Sequence, residues 1–560
     1  MIQSLDKSQQ NYSTPAIMER GWKYLISTLT LVAVITGAGY TPTALGAETV
    51  VVRQGPFEVS IAVADLKTFA ATGKAPPRLQ RYLRSLSPTQ QTLVYHALTT
   101  QINLGVIGVS QLLNARIGEL ILNDLATITL RNDGAEVLAL RAALVLGTRA
   151  PGGLSILSVL EAYPSRFLKI DLNRAFAVMS QLNRDFWQTQ QFMTAIIPYF
   201  PPALPDLVLP FDPRQPGTQS ITIRQFTLKD ARRSREIPVD LYEPAQPTQT
   251  KPVVIITHGR GSIRSELAYL AQHLASHGYV VVTPEHPGSN QEYLDRNLTL
   301  MASEFLDRPQ DLSFVLDHLE TLNQQDQRLR GTLAVDQVLV LGYSFGGGTA
   351  LAIAGAEMQI DFLRQTCQNP VIQLNLAALT QCVASGLPQD RYQLFDSRVK
   401  GVIALNPTAS LLFGETGLQQ LQVPTLIFTT SADQVTPALT EQVIPFSQVP
   451  APKWLIGVLG GTHLSAKDPI ATLAQADRAR NLFGGNEIVG DAATQVRDYV
   501  KAFTLGMAGS LSQEPEPYQV FLTPEYYQLI STGNFPIRLV TEIPPEAERI
   551  IDSLIQNSGN

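Results

Sequence analysis

The C-terminal two thirds of the chain alternates between short apolar runs and stretches with helical spacing. VVIIT (253–257), YVVV (279–282), VLVLGY (338–343), VIAL (402–405), TLIFTT (425–430) and WLIGVLG (454–460) are each bounded by turn residues. Runs of this length, apolar at nearly every position, are expected of strands covered on both faces, as in a parallel sheet. Between the first two lies SELAYLAQHLASHG (265–278), a helix stopped by Gly278. Upstream, SITIRQFTL (220–228) and REIPVDLYEP (235–244) read as an antiparallel pair opening the sheet. Val496, Tyr499, Val500 and Phe503 mark a last amphipathic helix. Residues 355–398 break the alternation and predict a small cap insertion. The expected class is α/β, with a mostly parallel central sheet flanked by helices.

The region before it has a different texture. ETVVVRQGPFEVSIAV reads as a strand, after which helical spacing dominates. Leu79, Tyr82, Leu83 and Leu86 share one face, Ser87-Pro88-Thr89-Gln90 forms a capping box, and Val137, Leu140 and Leu144 make another face that Arg141 spoils. Seven prolines between 198 and 216 exclude regular helix and sheet. The expected organisation is an export segment at 1–47, a mostly helical domain at 48–197, a proline-rich linker at 198–218, the α/β domain at 219–507 and a C-terminal extension at 508–560. The export segment rests on Arg20 and Lys23, the apolar stretch 24–40 and small residues at 44, 46 and 47. An uncleaved anchor is the competing reading, with membrane association through the N-terminus. Either places the bulk of the chain outside the cytoplasm.

Composition narrows the function classes. Hydrophobic residues make up 44% and charged residues 16%, with a net charge of −6, so no basic surplus suggests nucleic acid. The only two cysteines, Cys367 and Cys382, are expected to pair in an oxidising compartment. Closing a loop of about 15 residues is worth roughly 3 kcal/mol in the chain-entropy model; two buried free thiols are the alternative. No cofactor or metal is expected.

The chemistry centres on Ser344. VLVLGYSFGGGTAL (338–351) is a strand, a G-x-S-x-G turn and a run of small, helix-compatible residues, the layout of a nucleophile elbow. Glycines at 342 and 346 relieve collisions in so tight a turn. A serine nucleophile needs a base, and of seven histidines only His463 follows it, in the loop VLGGTHLS. The carboxylates between them are Glu357, Asp361, Asp390, Asp396, Glu415, Asp433 and Glu441. Only Asp433 directly follows a strand, PTLIFTTSAD, which makes it the candidate acid. The loop after VVIIT is glycine-flanked, so backbone N–H groups of Arg260 and Phe345 are the candidate oxyanion donors. His258 reads as structural. Glu285 and His286, at the end of the second strand, are candidate substrate contacts.

THGRGSIRSELAYLAQHLASHGYVVVTPEHPGS (257–289), DRPQDLSFVLDHL (307–319) and GYSFGGGTA (342–350) resemble the platelet-activating-factor acetylhydrolases, the group VII lipid esterases. The resemblance covers roughly 250–465 and implies an α/β-hydrolase fold, an ester-cleaving serine and no metal. That family carries its acid at the end of the strand after the nucleophile helix. Here VKGVIALNP ends in Asn406, so the acid is expected one strand later, as in the dienelactone-hydrolase-like and polyester-hydrolase branches. The N-terminal region resembles an uncharacterised helical module preceding predicted exported hydrolases in cyanobacteria. The expectation is therefore an exported serine esterase or lipase acting on a lipid or short-to-medium acyl ester. Alternatives are acyl transfer at the same site, or an inactive scaffold binding a partner at the envelope.

Overall fold

The computed structural model describes residues 46–556, apart from scattered positions between 85 and 132, residue 298 and the segments 176–183, 197–206, 369–374 and 470–486. Residues 1–45 of the expected export segment, and the capping box at 87–90, lie outside the described residues. Among these, no helix is long and apolar enough to cross a membrane.

In the N-terminal region, β1 (Thr49–Gln54) and β2 (Phe57–Ala62) form a hairpin about Gly55, whose φ of 59° suits glycine. On the other side of β1, β3 (Phe167–Asp171) runs parallel to it. The helices Val63–Thr72, Glu136–Gly147 and Ile156–Ala162 share a separate core with this sheet through Val50, Leu66, Phe69, Leu140, Leu160 and Leu168. The expected single strand at the start of a helical domain is thus corrected to a three-stranded mixed sheet with helices. The turn Gly55-Pro56 divides the first run. FLKID carries too short a pattern to announce the third strand.

A nine-stranded sheet carries the rest of the fold. β4 (Ile221–Asp230) and β5 (Arg235–Pro244) are antiparallel over their full length. They are followed by β6 (Pro252–Thr257), β7 (Val281–Pro284) and β8 (Ala334–Tyr343). A two-stranded ladder of β9 (Met358–Gln359) and β10 (Arg391–Tyr392) then closes the neck of the cap insertion. β11 (Val399–Leu405), β12 (Thr425–Thr430), β13 (Lys453–Val458) and β14 (Ile537–Val540) complete the chain. The spatial order is β14-β13-β12-β11-β8-β6-β7-β5-β4, with the six strands from β13 to β7 parallel. The chain runs from β6 outward to β7, then returns to place β8 on the other side of β6. That reversal opens a crevice beyond the carboxyl ends of β6 and β8, where ligands bind in open α/β sheets.

The continuous apolar runs follow from two covered faces. Val253 and Ile255 of β6 join the core containing the helices Glu304–Gln325 and Phe345–Ile353, while Val254 and Ile256 join the opposite core. There Leu270 and Leu274 of the helix Ala268–Ser276 meet Val496, Tyr499, Val500 and Phe503 of the helix Thr494–Ser510. Successive strand side chains point to opposite faces, so no polar alternation survives.

Three boundaries shift. The extension 508–560 is part of the α/β unit: β14 pairs antiparallel with β13, and Phe521, Tyr526 and Tyr527 are fully buried. The helix Arg184–Ile196, expected in the N-terminal domain, puts Phe192 and Met193 into the α/β core. Its Gln190 Nε2 donates to the Ser431 carbonyl at 2.5 Å, and its Thr189 hydroxyl accepts from Leu439 N–H at 3.1 Å. The described end of the proline-rich segment is a packed strap. Leu207, Leu209 and Phe211 lie against the core, and the Pro213 carbonyl accepts from His273 Nε2.

In the cap insertion, the helices Ile360–Thr366 and Leu376–Cys382 are joined by the Cys367–Cys382 disulfide. Gln381 anchors this insertion beside the sheet. Its Oε1 accepts from the N–H groups of Leu411 and Leu412, and its Nε2 donates to Ser410 and to the buried Glu441 carboxylate.

Candidate active site

Ser344 sits on the turn between β8 and the helix Phe345–Ile353, with φ 55° and ψ −120°. A side chain at Gly342 would place its Cβ 1.9 Å from the Gly346 carbonyl oxygen, and one at Gly346 would fall 2.4 Å from that of Thr257. Both are below any real contact, so the two glycines are what allow the strand, turn and helix to meet. The geometry holds Ser344 in a backbone region that costs of order 1–3 kcal/mol for a non-glycine residue. Its N–H is tied to the Leu405 carbonyl at 2.8 Å. The side chain is left beyond the sheet edge, 9% exposed.

Its Oγ lies 3.1 Å from His463 Nε2, and His463 Nδ1 lies 2.6 Å from Asp433 Oδ2. His463 follows β13 in a short turn whose Thr462 and Ser465 cap each other, and the Tyr343 hydroxyl donates to its carbonyl. Asp433, after β12, is fully buried. Its Oδ1 accepts from the N–H groups of Val435 (2.8 Å) and Thr436 (2.7 Å), and its Oδ2 from Thr436 Oγ1 (2.7 Å) and Asn406 Nδ2 (2.6 Å). Burial alone would raise its pKa, but the adjacent imidazole and these donors outweigh it and hold the carboxyl below its ordinary value.

Asn406, noted from sequence only as unable to serve as the acid, thus acquires a role. It takes φ 43° at the end of β11, and its amide bridges Thr430 and Asp433. Thr436 was missed, because nothing in QVTP distinguishes a carboxylate-holding threonine from any loop threonine. The remaining candidate acids stand elsewhere. Asp396 pairs with Arg398, Asp390 with Arg364, and Glu357 and Asp361 with Arg391.

Phe345 opens its helix, where first-turn N–H groups have no intrahelical acceptor. The loop bearing Arg260 abuts the serine: a Cβ on Gly259 would be 3.4 Å from that of Ser344 and 3.2 Å from the Tyr343 ring. Gly259 N–H is held by Glu266 Oε2 at 2.6 Å, and the other oxygen of Glu266 pairs with Lys467, on the loop of His463. One buried carboxylate therefore fixes the two loops relative to each other. Burial would raise the pKa of Glu266, but Lys467 and its other partners keep it low.

The expectation that Glu285 and His286 contact substrate is corrected. His286 is fully buried, with Nε2 2.9 Å from Thr257 Oγ1 and Nδ1 2.9 Å from Asp311 Oδ2. Glu285 binds Arg264 and accepts from Asn290 Nδ2. Two polar residues at a strand end look the same in sequence whether they face a cleft or a buried ion network. His258 is structural, as read: its Nδ1 bonds the Gly259 carbonyl and its Nε2 accepts from His286 N–H.

These histidines have a consequence for stability. Burial first, then nearby arginine charge, holds His258 and His286 neutral far below the ordinary range, and burial lowers His273 to about 3. Each takes up a proton only on unfolding, so stability is retained above the unfolded pKa of about 6.5 and lost as pH falls below it, by up to about 1.4 kcal/mol per pH unit per residue. Denaturant unfolding should show a clearly lower midpoint at pH 5.5 than at pH 7.5. An unchanged midpoint would contradict neutral burial.

Comparison with known proteins adds a relationship to this geometry. Residues 248–394 match the family model described as serine aminopeptidase, S33. Residues 46–171, the small N-terminal unit and not the part bearing Ser344, match the model described as alpha/beta hydrolase of unknown function. Cutinase 2 of Thermobifida cellulosilytica is 29% identical over 114 residues, covering 20% of this chain and 38% of that protein. Cutinase cut1 of Thermobifida fusca is 29% identical over 114 residues, 20% of this chain and 31% of its own. The platelet-activating factor acetylhydrolase of Cavia porcellus is 25% identical over 152 residues, 21% of this chain and 35% of that protein. The matched stretches thus span well under half of these relatives. With a largely parallel sheet, a strained serine between β8 and its helix, and these similarities, the chain belongs to the α/β-hydrolase superfamily.

Proposed function

We propose that this chain is an exported serine hydrolase of carboxylic esters. The observation carrying the reading is the unbroken hydrogen-bonded series Ser344–His463–Asp433, at 3.1 and 2.6 Å. In the reaction, Ser344 Oγ attacks the ester carbonyl carbon while His463 Nε2 takes its proton. Asp433 holds the ring through Nδ1 and stabilises the imidazolium. The carbonyl oxygen becomes an oxyanion facing the N–H groups of Phe345 and Arg260, each worth roughly 3 kcal/mol of barrier by comparison with other oxyanion holes. The tetrahedral adduct collapses, His463 returns the proton to the leaving alcohol, and an acyl-serine remains. Water then attacks that ester, losing its proton to His463, and the carboxylic acid departs.

The named relatives, cutinases and a platelet-activating factor acetylhydrolase, support an ester as substrate. The Cys367–Cys382 bridge supports an oxidising compartment. The cap it stiffens is anchored beside the acid-bearing loops by Gln381, which favours short to medium acyl chains.

The test is fluorophosphonate labelling of the purified chain, followed by turnover of p-nitrophenyl esters of increasing length and of aminoacyl anilides. Labelling confined to Ser344, with ester rates falling beyond about eight carbons, is the expected result, the length resting on general pocket dimensions. An unlabelled protein, or one that turns over anilides and not esters, would overturn the reading.

A further inference from the structure

Behind the oxyanion loop lies a charge that the proposed reaction leaves unused. Arg308, on the helix Glu304–Gln325, is fully buried. Its Nη2 donates to the carbonyl of His258, two residues before Arg260. The guanidinium carbon lies 4.7 Å from the centre of the Phe345 ring, the residue supplying the other candidate N–H. Its Nε and Nη1 meet no acceptor among the described residues.

The surrounding acids are engaged elsewhere. Glu304 and Asp311 bind Arg235 at 2.7 Å each, and Glu266 binds Lys467. The two nearest histidines, His258 and His286, are held neutral. Burial lowers the pKa of Arg308 to about 10, which still leaves it cationic at neutral pH. A buried cation without a bonded anion is costly to the fold, and the cost is offset where negative charge develops beside it.

We propose that Arg308 is a positioning residue for the oxyanion. It fixes the two peptide segments that carry the N–H donors and sets behind them a positive charge that no described carboxylate bonds directly. Such preorganised charge, itself buried from water, acts on the transition state more than on the bound ester. The inference rests on the ester-hydrolase reading. It adds a cation to the pair of backbone dipoles as the source of stabilisation.

Two variants of the full-length chain separate charge from shape. Arg308→Gln keeps an N–H donor for the His258 carbonyl and loses the charge. Arg308→Lys keeps the charge and loses the planar fork. Active sites are counted by fluorophosphonate titration, so that rates refer to competent serine.

The glutamine variant should lose about 100-fold in kcat with KM changed less than about threefold, the size of one lost oxyanion interaction. The lysine variant should stay within about tenfold of wild type at pH 6. Burial depresses a lysine further into the assay range, with Glu304, Asp311 and Glu266 opposing that shift and Arg235 adding to it. Its kcat should therefore fall as pH rises from about 7 towards 9, a range over which wild type, with Arg308 losing its proton only near 10, stays level.

A glutamine variant with wild-type kcat per titrated serine overturns the inference. So does a lysine variant as slow as the glutamine one at pH 6, or one lacking the alkaline fall. The last readout remains decisive if the glutamine variant does not fold. A wild-type chain that neither labels nor turns over esters would instead defeat the reading on which the inference rests.

Discussion

Ser344→Ala should abolish fluorophosphonate labelling and lower ester turnover by about a millionfold, as loss of the nucleophile does in serine hydrolases whose residues act as a unit. The change removes one oxygen, which is hydrogen-bonded to His463 Nε2. Alanine carries the same Cβ into the same φ of 55°, so backbone strain at the elbow is unchanged. The two glycine approaches at 342 and 346 do not involve the hydroxyl. Circular dichroism and the melting temperature should therefore match wild type. Turnover unaffected in a folded variant would remove Ser344 from the chemistry.

Asp433→Asn should cost about 10⁴ in kcat, the magnitude seen when a serine-protease aspartate is replaced. The reason is specific to the donors around it. Val435 and Thr436 N–H groups require an acceptor at Oδ1, so the new amide nitrogen is driven to the Oδ2 side. There it would face the Asn406 amide and His463 Nδ1, both of which now donate. The ring must turn its N–H away, placing a proton on Nε2 where Ser344 needs an acceptor. Rates should recover little with added substrate, because the defect lies in proton transfer and not in binding. Asp396→Asn, at a half-buried pair with Arg398 that bonds none of Ser344, His463 and Asp433, should leave kcat within about twofold. A full-rate Asp433→Asn enzyme would return the acid to another carboxylate.

The sequence by itself determined the features that are local along the chain. The apolar runs marked six of the nine strands of the main sheet, because a strand covered on both faces needs apolar residues at every position. Ser344 was legible because an elbow needs glycine two residues to each side, and His463 because it is the only histidine after the serine. Asp433 could be read from its place after β12, and the cysteine pair from its isolation.

Tertiary structure decided whatever depends on a distant partner. β14 is four residues long and reads as a strand only once β13 offers its edge. The helix Arg184–Ile196 gives no local sign of its owner, since an amphipathic face fits any apolar surface of the right shape; Phe192 and Met193 assign it to the α/β core. Glu285 and His286 turned inward because Arg264, Thr257 and Asp311 converge on them from separate elements. The same holds for Asn406, Glu266 and Arg308. A buried polar residue has its meaning fixed by the groups that satisfy it, and those lie 27, 201 and 50 residues away in the pairs Asn406–Asp433, Glu266–Lys467 and Arg308–His258.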